Sequence, residues 1–268
     1  MKYGIYILSF VFILLSGFAF SIQAPADENI KSSATAQPQP ESLENAADLN
    51  YNAEQSINTD PDISLQYALR AEKMAGKNKS ETARALLNQG IATYYLDEYD
   101  KGIELAKKAL RIYEQLKDEN RQGIANNIIG EIYVYTAKYA DALSYLSKAH
   151  LMLENTNDDI NLARCNNNMG IIHKNQYNLN EALTYFKRAF ELGDDIRKGD
   201  ASLYMGQVYL GQKKYTDAER SFNEALVFAD KNQDQYVKAD ALTGLGEVNT
   251  FFGKHELAKQ NFLAALDI

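Results

Sequence analysis

Residues 206–225 read Gly206-Gln-Val-Tyr-Leu-Gly-Gln-Lys-Lys-Tyr215-Thr-Asp-Ala218-Glu-Arg-Ser-Phe222-Asn-Glu-Ala225. The same frame recurs along the chain. Glycines stand at 90, 130, 170, 206 and 246, spaced 40, 40, 36 and 40. Nineteen residues after each comes Ala109, Ala149, Ala189, Ala225 or Ala265. Twelve after stand Gly102, Ala142, Ala182, Ala218 and Ala258, and sixteen after stand Ala106, Leu146, Phe186, Phe222 and Phe262. Nine after stand Tyr99, Tyr139, Leu179, Tyr215 and His255. Agreement in four columns at a fixed period marks a repeat architecture.

Each unit predicts two helices. Around the glycine, apolar residues follow a helical spacing, as in Ile128, Ile129, Ile132 and Tyr133. A short polar turn follows, such as Asp97-Glu98, Ala137-Lys138 or Gln212-Lys213-Lys214. A second amphipathic stretch comes next, as in Ala182, Leu183, Tyr185, Phe186, Ala189 and Phe190. Small residues let the two helices approach, and the aromatic fills the wedge between them. Proline agrees: all four prolines lie at or before Pro61, leaving 207 residues after it without one. The expected fold is all-α, an α-solenoid of antiparallel helix pairs. A degenerate unit spans about 46–76, and five repeats span about 83–117, 123–155, 163–195, 199–231 and 239–268.

This frame resembles the tetratricopeptide repeat family, matched best at Gly206, Tyr215, Ala218, Phe222 and Ala225. Two features depart from it. The family's tryptophan is replaced by Leu86, Asn126, Asn166, Ser202 and Leu242, and the closing proline is missing. The 40-residue step implies helices longer by about a turn. It resembles the longer repeats of kinesin light chains and of bacterial peptide-responsive regulators. The resemblance implies partner binding along a groove lined by first helices.

Other chemistries find little support. Net charge is −8 from 28 basic and 36 acidic residues, which argues against a nucleic-acid partner. Cys165 is the only cysteine, so no intrachain disulfide or cysteine-built metal site is possible. Gly206-x-x-x-x-Gly211 is followed by Gln212-Lys213 and lacks the phosphate-loop ending, while Gly244-Leu245-Gly246 lacks a third glycine. His150, His173 and His255 fall in separate repeats. Neither a catalytic constellation nor a cofactor site is expected, and this segment is read as a non-enzyme.

Asparagine on first helices is the informative chemistry. Asparagine is a poor helix former, yet Asn88, Asn126, Asn127, Asn166, Asn167 and Asn168 cluster there. Their amides can hold an extended backbone or bond between adjacent repeats. The residues expected to contact a peptide or partner are Arg84, Asn88, Asn127, Glu131, Arg164, Asn167, Asn168 and Lys174. Later repeats offer Asp200, Asp240 and Glu247, so the groove changes sign along its length. Tyr94, Tyr95, Tyr135 and Phe251 are candidate apolar anchors.

The chain opens with Lys2, an uncharged run from Gly4 to Ile22 and Ala24-Pro25-Ala26, the features of an export signal cleaved after Ala26. An uncleaved signal anchor fits the same residues. Either reading puts the repeats on the extracytoplasmic side. Residues 27–45 read as a flexible linker. The sequence ends at Phe262-Leu263-Ala264-Ala265-Leu266-Asp267-Ile268, with no polar cap, so a longer protein is expected. This order resembles bacterial signalling proteins with extracytoplasmic tetratricopeptide repeats. A stand-alone periplasmic adaptor is the alternative.

Overall fold

The computed structural model describes residues 45–268, so the expected export signal and nearly all of the linker lie outside the described residues. Twelve helices follow one another, and there is no strand among the described residues. They form six antiparallel pairs. These are α1 (Ala46–Ser56) with α2 (Pro61–Ala75), α3 (Lys79–Tyr95) with α4 (Tyr99–Leu116), and α5 (Glu119–Tyr135) with α6 (Tyr139–Asn155). Then come α7 (Asp159–Asn175) with α8 (Leu179–Leu192), α9 (Asp195–Gly211) with α10 (Tyr215–Asn232), and α11 (Gln235–Phe251) with α12 (His255–Leu266).

Local chemistry places the helix ends. Short acidic or amide side chains start the first helices. Asp158 accepts from the Asn161 amide at 3.1 Å, Asp194 from Arg197 at 3.0 Å and Asp234 from Val237 at 3.0 Å. Such a cap contributes about 1 kcal/mol. Pro61 is the first residue of α2, where its missing N–H costs nothing, and Asp60 caps it. The turn inside each later pair crosses a left-handed residue. These residues are Asp97 (φ 63°), Ala137 (56°), Tyr177 (62°), Lys213 (60°) and Gly253 (70°).

Pairs close by glycine-to-aromatic packing. A Cβ added to Gly170 would lie 2.5 Å from the Phe186 ring, and one on Gly206 would lie 2.6 Å from Phe222. The aromatic sixteen residues on therefore occupies the space that a side chain at the glycine would need. Phe186 and Phe222 are fully buried, as are Tyr113, Leu146 and Leu153. The single 36-residue step has a visible cause. Helix α8 has 14 residues where α4, α6 and α10 have 17 or 18. A deletion of about one helical turn keeps the apolar stripe in register.

Curvature follows from spacing. The backbones of successive first helices approach closely, whereas successive second helices stand further apart and meet only through long side chains, as Lys107 with Tyr145 and Phe190 with Phe228. The row α1, α3, α5, α7, α9, α11 is thus the tighter, inner row.

Candidate inner-face binding site

At two junctions of neighbouring first helices, the residue six before a repeat glycine grips a glutamate at the matching position of the preceding repeat, and the two pairs are rungs of a ladder. Arg164 on α7 grips Glu131 on α5 through Nε–Oε2 at 2.7 Å and Nη2–Oε1 at 2.9 Å. Two repeats earlier, Arg84 on α3 grips Glu54 on α1 with both contacts at 2.6 Å. Between them stand Ile91 and Ile124. Planar guanidinium and carboxylate suit this two-point geometry.

A second ladder, of amides, runs beside the first. Asn88 Nδ2 donates to the Asn50 carbonyl oxygen at 3.2 Å and to its Oδ1 at 3.4 Å. Asn168 Nδ2 donates to Asn127 Oδ1 at 3.1 Å and to Glu131 Oε2 at 3.2 Å. Arg164, Glu131, Asn168 and Asn127 therefore form one network on α5 and α7. Arg84 and Asn88 lie apart from it at the α1–α3 junction. Asn167 and Lys174 lie at the α7–α9 junction. Asn167 Nδ2 donates to the Arg197 carbonyl at 3.4 Å. Lys174 Nζ donates to Gln207 Oε1 and sits 5.1 Å over the Tyr204 ring. The expected asparagines are thus buried, and Asn88, Asn167 and Asn168 donate toward the neighbouring first helix, the second of the two uses open to them from sequence.

Electrostatics follows from this wiring. Burial alone would raise the Glu131 carboxyl, but the Arg164 charge and the bonds from Arg164 and Asn168 hold it below the usual range. Burial would lower Arg164, and the Glu131 charge outweighs it, so the guanidinium is raised. Asp200 differs: burial pushes it up to about 7, with Arg197 opposing and Asp234 and Glu131 adding. Burial also raises Asp240 and lowers Lys174, each countered by the other's charge.

Above this wired floor stand aromatic side chains. Tyr94, Tyr95, Tyr99 and Tyr135 form a cluster at the ends of α3 and α5 and the start of α4. Tyr94 meets Tyr135 edge-on at 5.6 Å, and Tyr99 lies 5.2 Å from Tyr135. Tyr135 is 62% exposed and Tyr236, on α11, is 72% exposed. Phe251 stacks on Tyr215 at the far end. Tyr204, Tyr236, Arg197, Gln207, Asn50 and Glu54 were not singled out from sequence. Tyr204 shares the frame position of Asn88 and Asn168, and that shared position was the available signal.

Cys165 is buried, donates to the Leu146 carbonyl at 3.4 Å, and has its thiol pushed up to about 12 by burial. That is the setting of a packed, unreactive thiol. Among the described residues no helix is long and apolar enough to cross a membrane.

The repeats have known relatives. A tetratricopeptide repeat family model matches residues 121–194. Tetratricopeptide repeat protein 29 of Macaca fascicularis is 24% identical over 213 residues, covering 69% of this chain. The human protein of that name is 23% identical over 210 residues. The chain spans 44% of the length of these relatives. Among solved structures, a Rap protein complexed with Competence and Sporulation Factor aligns with a TM-score of 0.65 at 15% identity, over 83% of this chain and 74% of that one. NprR in complex with its cognate peptide NprX gives 0.64 at 14%, over 83% and 66%. BtubC from P. vanneervenii gives 0.62 at 16%, over 80% and 90%.

Proposed function

We propose that this chain of tetratricopeptide repeats is a scaffold that binds an extended peptide, or an extended segment of a partner protein, along the inner face of its first helices. The fold is a protein- and peptide-interaction fold, and several structurally similar proteins were solved with peptides bound. One observation carries the reading to this chain. The large exposed phenols Tyr135 and Tyr236 stand over a floor whose amides and arginines are already engaged between repeats. The floor is preorganised, and the rings supply contact area at low entropic cost. Asn88 and Asn168, whose amides bond to the neighbouring first helix, act as wall rather than as hooks.

The test is a fluorescence-polarisation screen of capped nine-residue peptides with positional scanning. A sequence-dependent subset binding at micromolar concentrations supports the reading, and uniform absence of binding sinks it.

We further propose that binding occurs outside the cytoplasm, as the input step of a larger bacterial signalling protein. Lys2, the apolar run from Gly4 to Ile22 and Ala24-Pro25-Ala26 support export. Alkaline phosphatase fused after residue 45 should be active in cells, and an inactive fusion would contradict export.

A further inference from the structure

Both inner-face ladders are interrupted at the α3–α5 junction, where Ile91, Ile124, Leu87 and Ile128 make the rungs apolar, and again at the junction of α7 and α9, where polar groups are left over. In the charge ladder, the rung that holds Glu131 and Arg164 is followed by Ile171 and Asp200. An aspartate stands where an arginine stood, and its rung partner is apolar. Asp200 has neither a hydrogen bond nor an ion pair, although it is only partly exposed. In the amide ladder, the position of Asn168 is taken by Tyr204, which stacks on Phe186 at 5.3 Å. Asn167 thereby loses its rung partner. It is 4% exposed, its Nδ2 donates to the Arg197 carbonyl, and its Oδ1 has no donor. The amide cannot be turned over, because only Nδ2 can donate to that carbonyl. The contact with Arg197 also places Asn167 within one turn of Asp200 on α9.

The local charges do not supply the missing group. The cations facing Asp200 are Arg197 on α9 and Arg164 on α7, and the anions are Asp234 at the start of α11 and Glu131 on α5. Arg164 is committed to Glu131 and Arg197 reaches Asp194 at 3.9 Å, and neither makes an ion pair with Asp200. Lys174 is engaged by Gln207 and the Tyr204 ring. The Asp200 charge is left over. Around it stand three phenols, Tyr95, Tyr204 and Tyr236, each close enough to feel that charge. Carboxylate, amide oxygen and aromatic faces together suit a positive donor.

We propose that the α7–α9 junction is a subsite for one cationic side chain, a lysine ammonium or arginine guanidinium, of the bound segment, held by Asp200 and the Asn167 carbonyl oxygen. This rests on the inner-face reading above and names the chemistry it selects. The cation completes the broken rung in the way that Arg164 completes the one before it.

Two probes separate this proposal from the reading beneath it. The first is n-butylammonium chloride, titrated at constant ionic strength while the Asp200 carboxyl is followed by carbon NMR. Saturable shifts, absent with n-butanol, support the subsite, and identical responses to the two overturn it. The second is the tightest peptide from the positional screen, made with lysine or norleucine at the selected position. Norleucine should bind about tenfold more weakly to the wild type but within twofold in Asp200→Asn. Preference for lysine that survives Asp200→Asn overturns the proposal, as does a screen that selects no cation. Ammonium binding without any peptide binding overturns the segment reading instead. Asp200→Asn removes a partly buried charge, and its melting curve verifies that it is folded.

Discussion

Arg164 and Glu131 are locked side by side across two repeats, with both guanidinium-to-carboxylate contacts at 2.9 Å or less. Their side chains are 23% and 17% exposed, so each charge depends on the other for solvation. Removing one strands the other in a poorly hydrated wall. Arg164→Met should cost about 2–4 kcal/mol of unfolding free energy, at or below the usual range because the pair keeps some water. Replacing both in Arg164→Met/Glu131→Met should restore most of it. Urea denaturation measures both, and additive losses in the double variant would contradict the pairing.

Gly206 is the contact point of α9 with Phe222, where a Cβ would stand 2.6 Å from the ring. Gly206→Ala should destabilise by about 1–3 kcal/mol through overpacking, despite the better helix propensity of alanine. At Gly211 the nearest atom to a built Cβ is 4.0 Å away, so Gly211→Ala serves as the uncrowded control. Thermal melts of the two variants should move apart by several degrees.

Ala137 takes φ 56° at the turn where the equivalent residue of the last repeat is Gly253, at φ 70°. A left-handed residue with a Cβ costs about 1–2 kcal/mol. Ala137→Gly should therefore stabilise by roughly 0.5–1 kcal/mol after the entropy glycine loses on folding. A chemical-denaturation midpoint that falls would contradict this.

Asp200 gives stability a pH dependence of defined sign. Its folded pKa, about 7, lies above the ordinary aspartate value of about 3.9, so between these the folded state holds the extra proton. Stability from this group is present in acid and is lost as pH rises from about 4 to about 7. The upper bound is about 4 kcal/mol at 1.36 kcal/mol per unit. Asp200→Asn should gain on wild type across that window and match it near pH 4. Melting temperatures taken from pH 4 to 8 test this, and a constant difference would refute it.

The paired-helix architecture was legible because packing is periodic. The glycine and the residue sixteen on, aromatic in three of the five repeats, meet in every unit, and both columns recur in the sequence. The helix starts were less legible, because caps such as Asn78 and Asp234 precede the packing columns by several residues. The 36-residue step showed that a turn was missing but not that α8 had lost it. The site divides the same way. Sequence could put Asn127 and Asn168 on the inner face, but whether an amide faces a ligand or the next helix depends on a residue one repeat away. Their partnership joins frame positions that differ by one, an offset set by the stagger of the helices. The isolation of Asp200 is likewise invisible until its rung partner is known to be Ile171.

The most direct measurement compares the two faces of the solenoid with the tightest peptide from the screen. Tyr135→Ser/Tyr236→Ser strips the exposed rings from the inner face, and Lys108→Ala/Arg111→Ala removes charge from α4, a second helix on the outer row. Titration calorimetry should show at least tenfold weaker binding for the first variant and binding within twofold of wild type for the second. Equal binding by wild type and the inner-face variant, or loss confined to the α4 variant, would contradict the account.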